Sequence, residues 1–175
     1  EVWNPDVSDR TPERTYSHEC FGYMTEARGN RVAFQGSARD LSILDLTTNT
    51  ITRGANIPPP YALSPDGSKG AGMMPQGLRI FSTSTFQVLD ELPTNGIAWF
   101  EVLDWSKDGR TIVYAGTQIG GSNPVAVIYD TVDKTSRQVV LSGRAKKIKI
   151  DPDGRTFAVS CVNNGAAHLS YYDLS

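Results

Sequence analysis

The residue types that most often catalyse reactions or hold metals are scarce in this chain and poorly placed for either task. Two histidines, His18 and His168, are too few for a histidine-rich metal site. Two cysteines, Cys20 and Cys161, lie far apart, with no further ligand at the short spacing that tetrahedral zinc requires. Their expected state is two free, buried thiols; a disulfide would call for an oxidising compartment. No serine occupies the Gly-x-Ser-x-Gly setting of a nucleophile elbow. Carboxylates are plentiful, but the recurrent ones, Asp66, Asp108 and Asp153, each immediately precede a glycine, which is the chemistry of a tight turn and not of a paired acid and base. The run from Asp151 to Gly154 is too short for a calcium loop, whose oxygen ligands alternate over a dozen residues. The chain is therefore read without catalytic residues, without a cofactor and without a metal site.

The same aspartates reveal the elements around them. Leu63-Ser-Pro-Asp-Gly67, Trp105-Ser-Lys-Asp-Gly109 and Ile150-Asp-Pro-Asp-Gly154 are copies of one turn, and Thr25-Glu-Ala-Arg-Gly29 is a degraded fourth. Their closing glycines recur about every forty residues, the period of a four-stranded repeat unit. Asp-Gly accommodates the positive backbone φ of a tight hairpin without a steric penalty. A β-forming run follows the glycine in three copies, over 31–35, 110–115 and 155–160. The corresponding run at 68–74 is weakened by glycine, which packs poorly in a strand. A polar loop and a third strand come next: Leu41 to Asp45, Leu78 to Ser82, Ala126 to Asp130 and Leu169 to Asp173. Fourth strands are expected at 50–53, 86–92 and 136–141, and no segment carries the apolar period of a helix.

Four antiparallel strands repeated at this period make a β-propeller blade, whose apolar faces bury themselves on neighbouring blades. The Ser-Pro-Asp-Gly turn, the strand after it and the third strand ending in aromatic-Asp resemble the blades of TolB-type and WD40-like propellers over residues 17–175. True WD40 repeats differ: their Gly-His is missing, and Trp-Asp is replaced by Leu44-Asp45, Phe81-Ser82, Tyr129-Asp130 and Tyr172-Asp173. The resemblance favours the TolB-like relative and implies an all-β fold of about four blades of four antiparallel strands. The expected divisions are an N-terminal extension over 1–16 and blades over about 17–54, 55–94, 95–142 and 143–175. Blade four has no fourth strand, since only Leu174 and Ser175 follow its third. Pro5 and Pro12 make residues 1–16 a poor donor of that strand. The expectation is an incomplete propeller, continued by further blades from missing sequence or from a second chain.

In a propeller the first turn of each blade opens on one face, and the loop between strands two and three opens on the other, beside the blade-to-blade connections. The short Asp-Gly turns leave the first face plain. The second carries Gly36 to Asp40, Pro75 to Gly77, Thr117 to Pro124 and Asn163 to His168, with connections at 57–60, 93–99 and 142–146. Function concentrates on loops held by a rigid scaffold. The candidate binding residues are therefore Arg39, Asp40, Trp99, Gln118, Asn123, Arg144, Lys146, Asn163, Asn164 and His168. Trp99 and Phe100 are expected to pack between blades, with an exposed aromatic anchor as the alternative. Arg144, Lys146, Lys147 and Lys149 crowd a strand that would line the central channel. Alternation sets Lys147 and Lys149 on one side and Ile148 and Ile150 on the other, which reads as a solvated face or a seat for an anion or acidic partner.

With 39% hydrophobic and 21% charged residues, the 175-residue chain has material for a proper core. Its net charge of −2 exerts no general pull on polyanions, which argues against a nucleic-acid partner. No apolar run approaches the roughly 20 residues that cross a bilayer, so no membrane insertion is expected. The functional expectation is a non-catalytic scaffold that binds a protein partner through the loop face. The alternative is the propeller portion of a larger hydrolase or lyase, gating or forming part of an active-site funnel. The TolB-like resemblance leans towards a periplasmic or extracellular setting.

Overall fold

The computed structural model describes residues 24–35, 41–54, 57–75, 77–121 and 123–174. These form four antiparallel sheets and no helix. The first contains β1 (Met24–Arg28), β2 (Arg31–Gln35), β3 (Leu41–Asp45) and β4 (Thr50–Gly54); the second β5 (Tyr61–Leu63), β6 (Lys69–Met74), β7 (Gly77–Ser82) and β8 (Val88–Glu91). The third contains β9 (Ile97–Trp105), β10 (Thr111–Gln118), β11 (Pro124–Asp130) and β12 (Ser136–Val140). The fourth has three strands among the described residues, β13 (Arg144–Ile150), β14 (Thr156–Asn163) and β15 (Ala166–Asp173). Every sheet is a simple meander in chain order. The first strands lie side by side, β1 against β5, β5 against β9 and β9 against β13, so each meander radiates outward as a propeller blade.

Burial follows that geometry, because a strand alternates its side chains between two faces and each face meets a different blade. Ala33, Leu41 and Ile43 of blade one pack with Ile57, Tyr61, Leu63 and Phe81 of blade two. The other face of blade two, Ala71, Leu78 and Ile80, packs on Trp105, Ile112, Tyr114, Val125, Val127 and Tyr129 of blade three. Blade three turns Val113, Ala115, Ala126 and Ile128 towards Ala145, Ile148, Phe157, Val159 and Cys161 of blade four. A residue of either face is thus held by an interface, not by its own sheet.

The repeated turn has a repeated hydrogen-bond network. Ser64 Oγ donates to Asp66 Oδ1 at 2.6 Å, and the Ser68 and Lys69 amides donate to Asp66 Oδ1 and Ser64 Oγ at 3.0 Å each. Ser106, Asp108, Arg110 and Thr111 reproduce these contacts at 2.6, 3.0 and 2.8 Å. Gly67, Gly109 and Gly154 close their turns at φ 73°, 78° and 72°, the left-handed values expected of Asp-Gly. The aspartate that ends a third strand caps the next turn: Asp45 Oδ1 accepts from the Thr47 and Thr48 amides, and Asp130 Oδ1 from those of Val132 and Asp133. Both aspartates also pair with an arginine across the strand ladder, Arg31 at 3.0 Å and Arg110 at 2.7 Å.

Three local expectations are corrected. The fourth strand of blade two starts at Val88, not at residue 86, because Phe86 takes φ 56° and stacks on Phe81 with ring centroids 5.4 Å apart. β14 and β15 join through the two-residue turn Asn164-Gly165, with φ 48° and 81°, so His168 lies within a strand opposite Cys161 and not in a loop. Trp99 is not buried between blades: it is 74% exposed, while Phe100 alone packs against the core. His18, Cys20, Arg39, Asp40 and the extension over 1–16 lie outside the described residues.

Candidate functional site at the loop face

A cleft of about 460 Å³ opens between blades three and four, lined by Thr117, Asn123, Pro124, Leu141, Ser142, Gly143, Arg144, Val162, Asn163 and Asn164. Four of the residues singled out by sequence, Asn123, Arg144, Asn163 and Asn164, meet here. Each is brought by a different local device. Asn123 closes the loop after β10, where its carbonyl accepts from the Gln118 amide at 3.5 Å. Asn164 takes the left-handed turn position that asparagine tolerates. Asn163 Nδ2 donates to the Ser142 carbonyl at 3.0 Å and so ties the β14 end to the connection between blades three and four. Arg144, at the start of β13, pairs with Glu101 of β9 across the blade boundary.

Trp99 belongs to the same region. It stands directly opposite Thr117 in the β9–β10 ladder, and opposed residues of an antiparallel pair share a face, so Trp99 sits on the cleft side of blade three. Two irregularities put it there. The β9 register shifts between Phe100 and Val102, leaving Glu101 as an extra residue, and the strands approach so closely that a Cβ on Gly116 would lie 1.9 Å from the Trp99 carbonyl oxygen. Gln118 is half-buried at the end of β10, and His168 is exposed on β15; neither lines the cleft. Cys161, in the apolar core shared by blades three and four, is a free buried thiol whose pKa is pushed up by burial.

Lys146 faces elsewhere. With Glu26, Tyr61, Glu101, Asp104, Lys147 and Lys149 it lines a smaller cavity of about 200 Å³ among the first strands of all four blades. Asp104 is nearly buried; its Oδ1 accepts from Lys149 Nζ at 2.9 Å and its Oδ2 from the Ile150 amide at 2.9 Å. Glu26 holds the corresponding position in blade one, since Glu26 pairs with Ala33 as Asp104 pairs with Val113, and its Oε2 accepts from the Leu63 amide at 2.7 Å. A carboxylate on one first strand thus clamps a backbone amide of the next blade, twice. Glu101 completes the group: one oxygen pairs with Arg144, and the other is buried without a hydrogen-bond partner among the described residues. Sequence inspection missed Glu26, Glu101 and Asp104, because only the ladder register shows that two of them are equivalent. Among the described residues no three His, Cys, Asp or Glu side chains gather as metal ligands.

No protein-family model matches the chain, and no curated protein matches it. Solved structures do. Kuenenia stuttgartiensis hydrazine synthase superposes with a TM-score of 0.63 at 18% identity, over 83% of this chain and 43% of that one. TolB from Acinetobacter baumannii gives 0.62 at 18% identity, over 87% and 41%. The fold is a TolB-like β-propeller. The β-propeller domain of the Trilobed protease from Pyrococcus furiosus is also similar, at 0.60 and 16% identity over 87% and 54%. The propeller described here therefore spans about half, or less, of the chains it resembles. At these identities the likeness is one of fold, and propellers of one fold host unrelated functions.

Proposed function

We propose that this TolB-like propeller is a non-catalytic scaffold that binds a protein partner in the loop-face cleft between blades three and four. The observation that supports this is the meeting of Asn123, Arg144, Asn163 and Asn164 in one cleft, with a largely exposed Trp99 paired across the ladder with the cleft residue Thr117. The lining offers uncharged donors and acceptors from Thr117, Ser142 and three asparagines, chemistry that suits the amides and carbonyls of a peptide segment. Arg144 is already engaged by Glu101, so it serves to fix the wall. Trp99 supplies the amphipathic anchor typical of interface hot spots.

Site-specific photo-crosslinking in the source cells tests the reading. A photoreactive residue in place of Asn164 is expected to capture a defined protein, and one in place of Lys107, on the Asp-Gly face, is not. Equal capture at both positions, or none at Asn164, refutes the cleft. Once the partner is in hand, Trp99→Ala is expected to weaken its binding by about tenfold or more. The second reading, a propeller portion of a larger enzyme, draws on the similarity to hydrazine synthase and to the protease propeller. A catalytic domain encoded in the same reading frame would favour it.

A further inference from the structure

The ladder register makes the blades comparable residue by residue. Ile43, Ile80, Ile128 and Tyr171 hold one position, each opposed to the equivalent second-strand residue: Ala33, Ala71, Val113 and Ala158. Leu41, Leu78, Ala126 and Leu169 hold the position two residues earlier, opposed to Gln35, Met73, Ala115 and Ser160. In blades one to three all six of these third-strand residues are buried against the following blade, none more than 7% exposed. In blade four Leu169 and Tyr171 are 61% and 70% exposed. Alternation and register have built the same packing face a fourth time, and nothing among the described residues covers it.

The charges continue the pattern. Across the boundary of blades three and four, carboxylates on β9 meet cations on β13: Glu101 with Arg144, and Asp104 with Lys149. By register Lys149 occupies in blade four the position that Asp104 holds in blade three, and Lys146 is the extra residue at the β13 bulge as Glu101 is at that of β9. Lys146 and Lys147 form no ion pair among the described residues. We propose that the face of blade four turned away from blade three receives a further blade, supplied by polypeptide outside these 175 residues. That blade presents large apolar side chains to Leu169 and Tyr171 and a carboxylate on its first strand to Lys146 and Lys147.

A second copy of the chain fits poorly. On the opposite face of blade one Phe34 and Leu44 are already buried, and among the described residues no large apolar side chain of that blade is exposed, so head-to-tail stacking meets no apolar match for Leu169 and Tyr171. Two copies meeting through blade four would set like-charged lysine rows together. This site is the opposite face of blade four from the loop-face cleft, and it stands or falls independently of that reading.

Hydroxyl-radical footprinting with mass spectrometry tests it on two samples: the isolated 175-residue chain, and the protein isolated natively from its source cells. The expected result is heavy labelling of Leu169 and Tyr171 in the isolated monomer, falling to the level of Ile80 and Ile128 in the native material. Lys146 and Lys147 should lose acetylation reactivity in parallel. Tyr171→Glu, on a solvent-facing position, should abolish this protection while leaving the melting temperature of the isolated chain unchanged. Equal heavy labelling in both samples overturns the proposal. So does protection already present in the isolated chain: at the monomer mass of 19.1 kDa it would mean that the chain's own residues cover the face, and at twice that mass a second copy.

Discussion

Gly67 and Gly154 share a positive φ but not a neighbourhood, and that difference sets the cost of changing them. A Cβ on Gly154 would lie 3.9 Å from Asp108 Oδ2, ordinary contact, whereas one on Gly67 would lie 2.5 Å from the Arg28 carbonyl oxygen of the adjacent blade. Gly154→Ala should cost about 1 kcal/mol, the backbone term alone. Gly67→Ala should cost about 2–3 kcal/mol because the turns of blades one and two must separate as well, and urea denaturation of the two variants measures both. The neighbouring aspartates carry a pH signature. The Ser64 hydroxyl, with that of Ser68, holds the Asp66 carboxyl below its ordinary value of 3.8, and the Ser106 hydroxyl with the Arg110 amide does the same for Asp108. A pKa depressed by folding favours the ionised native state, so the contribution is complete above the unfolded value near 4 and vanishes as pH falls through the lower native one. The urea midpoint should hold steady from about pH 7 to 5 and drop below about 4, and the Asp66→Asn, Asp108→Asn double variant should drop less. A drop of unchanged size would show that other carboxylates govern it.

At the scale of elements, the blade-to-blade clamp is the feature whose removal should be felt furthest. Asp104→Ala strands the Ile150 amide at a buried boundary and frees Lys149, and should cost about 2–3 kcal/mol. Asp104→Asn keeps an acceptor for the amide and should cost less. Arg110→Ala, which breaks surface pairs with Asp130 and Asp133, should cost at most about 1 kcal/mol, since exposed pairs gain little against solvent. The ordering of the three variants by thermal denaturation checks the clamp; an Arg110 variant as damaged as Asp104→Ala would show that blade boundaries are held by packing alone. Blade two has Ala62 at the clamp position, so its boundary with blade three depends on the apolar contacts around Trp105 and Tyr114.

Across the whole molecule, protection should follow how many blades cover each strand. β10 and β11 are buried on both faces, while β15 is packed on one face and carries exposed residues along most of its length. Amide hydrogen exchange of the isolated chain should therefore be slowest in β10 and β11 and fastest among the strands in β15. Uniform exchange through all four blades would mean that the chain opens only as a unit. Cys161 reports the same gradient through a side chain: a maleimide should leave the native thiol untouched and label it once blade four unfolds, as its burial requires.

Turn chemistry and strand alternation are local, and for that reason the repeat, its register and the all-β class were legible from the chain alone. Asp-Gly admits the left-handed turn whatever surrounds it, and a third-strand aspartate can cap its own next turn. The gathering of Asn123, Arg144, Asn163 and Asn164 followed from knowing which loops share a face. Their cleft, by contrast, is a gap between two blades, and only the packed structure gives it a volume. The inter-blade packing expected of Trp99 gives way to the alternative, an exposed side chain, because the extra residue at Glu101 redirects the strand in a way that alternation cannot anticipate. The clamps at Glu26 and Asp104 were invisible for a related reason: the two acids stand at different distances from their turn glycines, and only ladder pairing makes them equivalent. The open face of blade four is the same case at larger scale. Leu169 and Tyr171 look like ordinary strand residues in sequence, and their exposure has meaning only beside the buried residues that occupy the same position in the three blades before them.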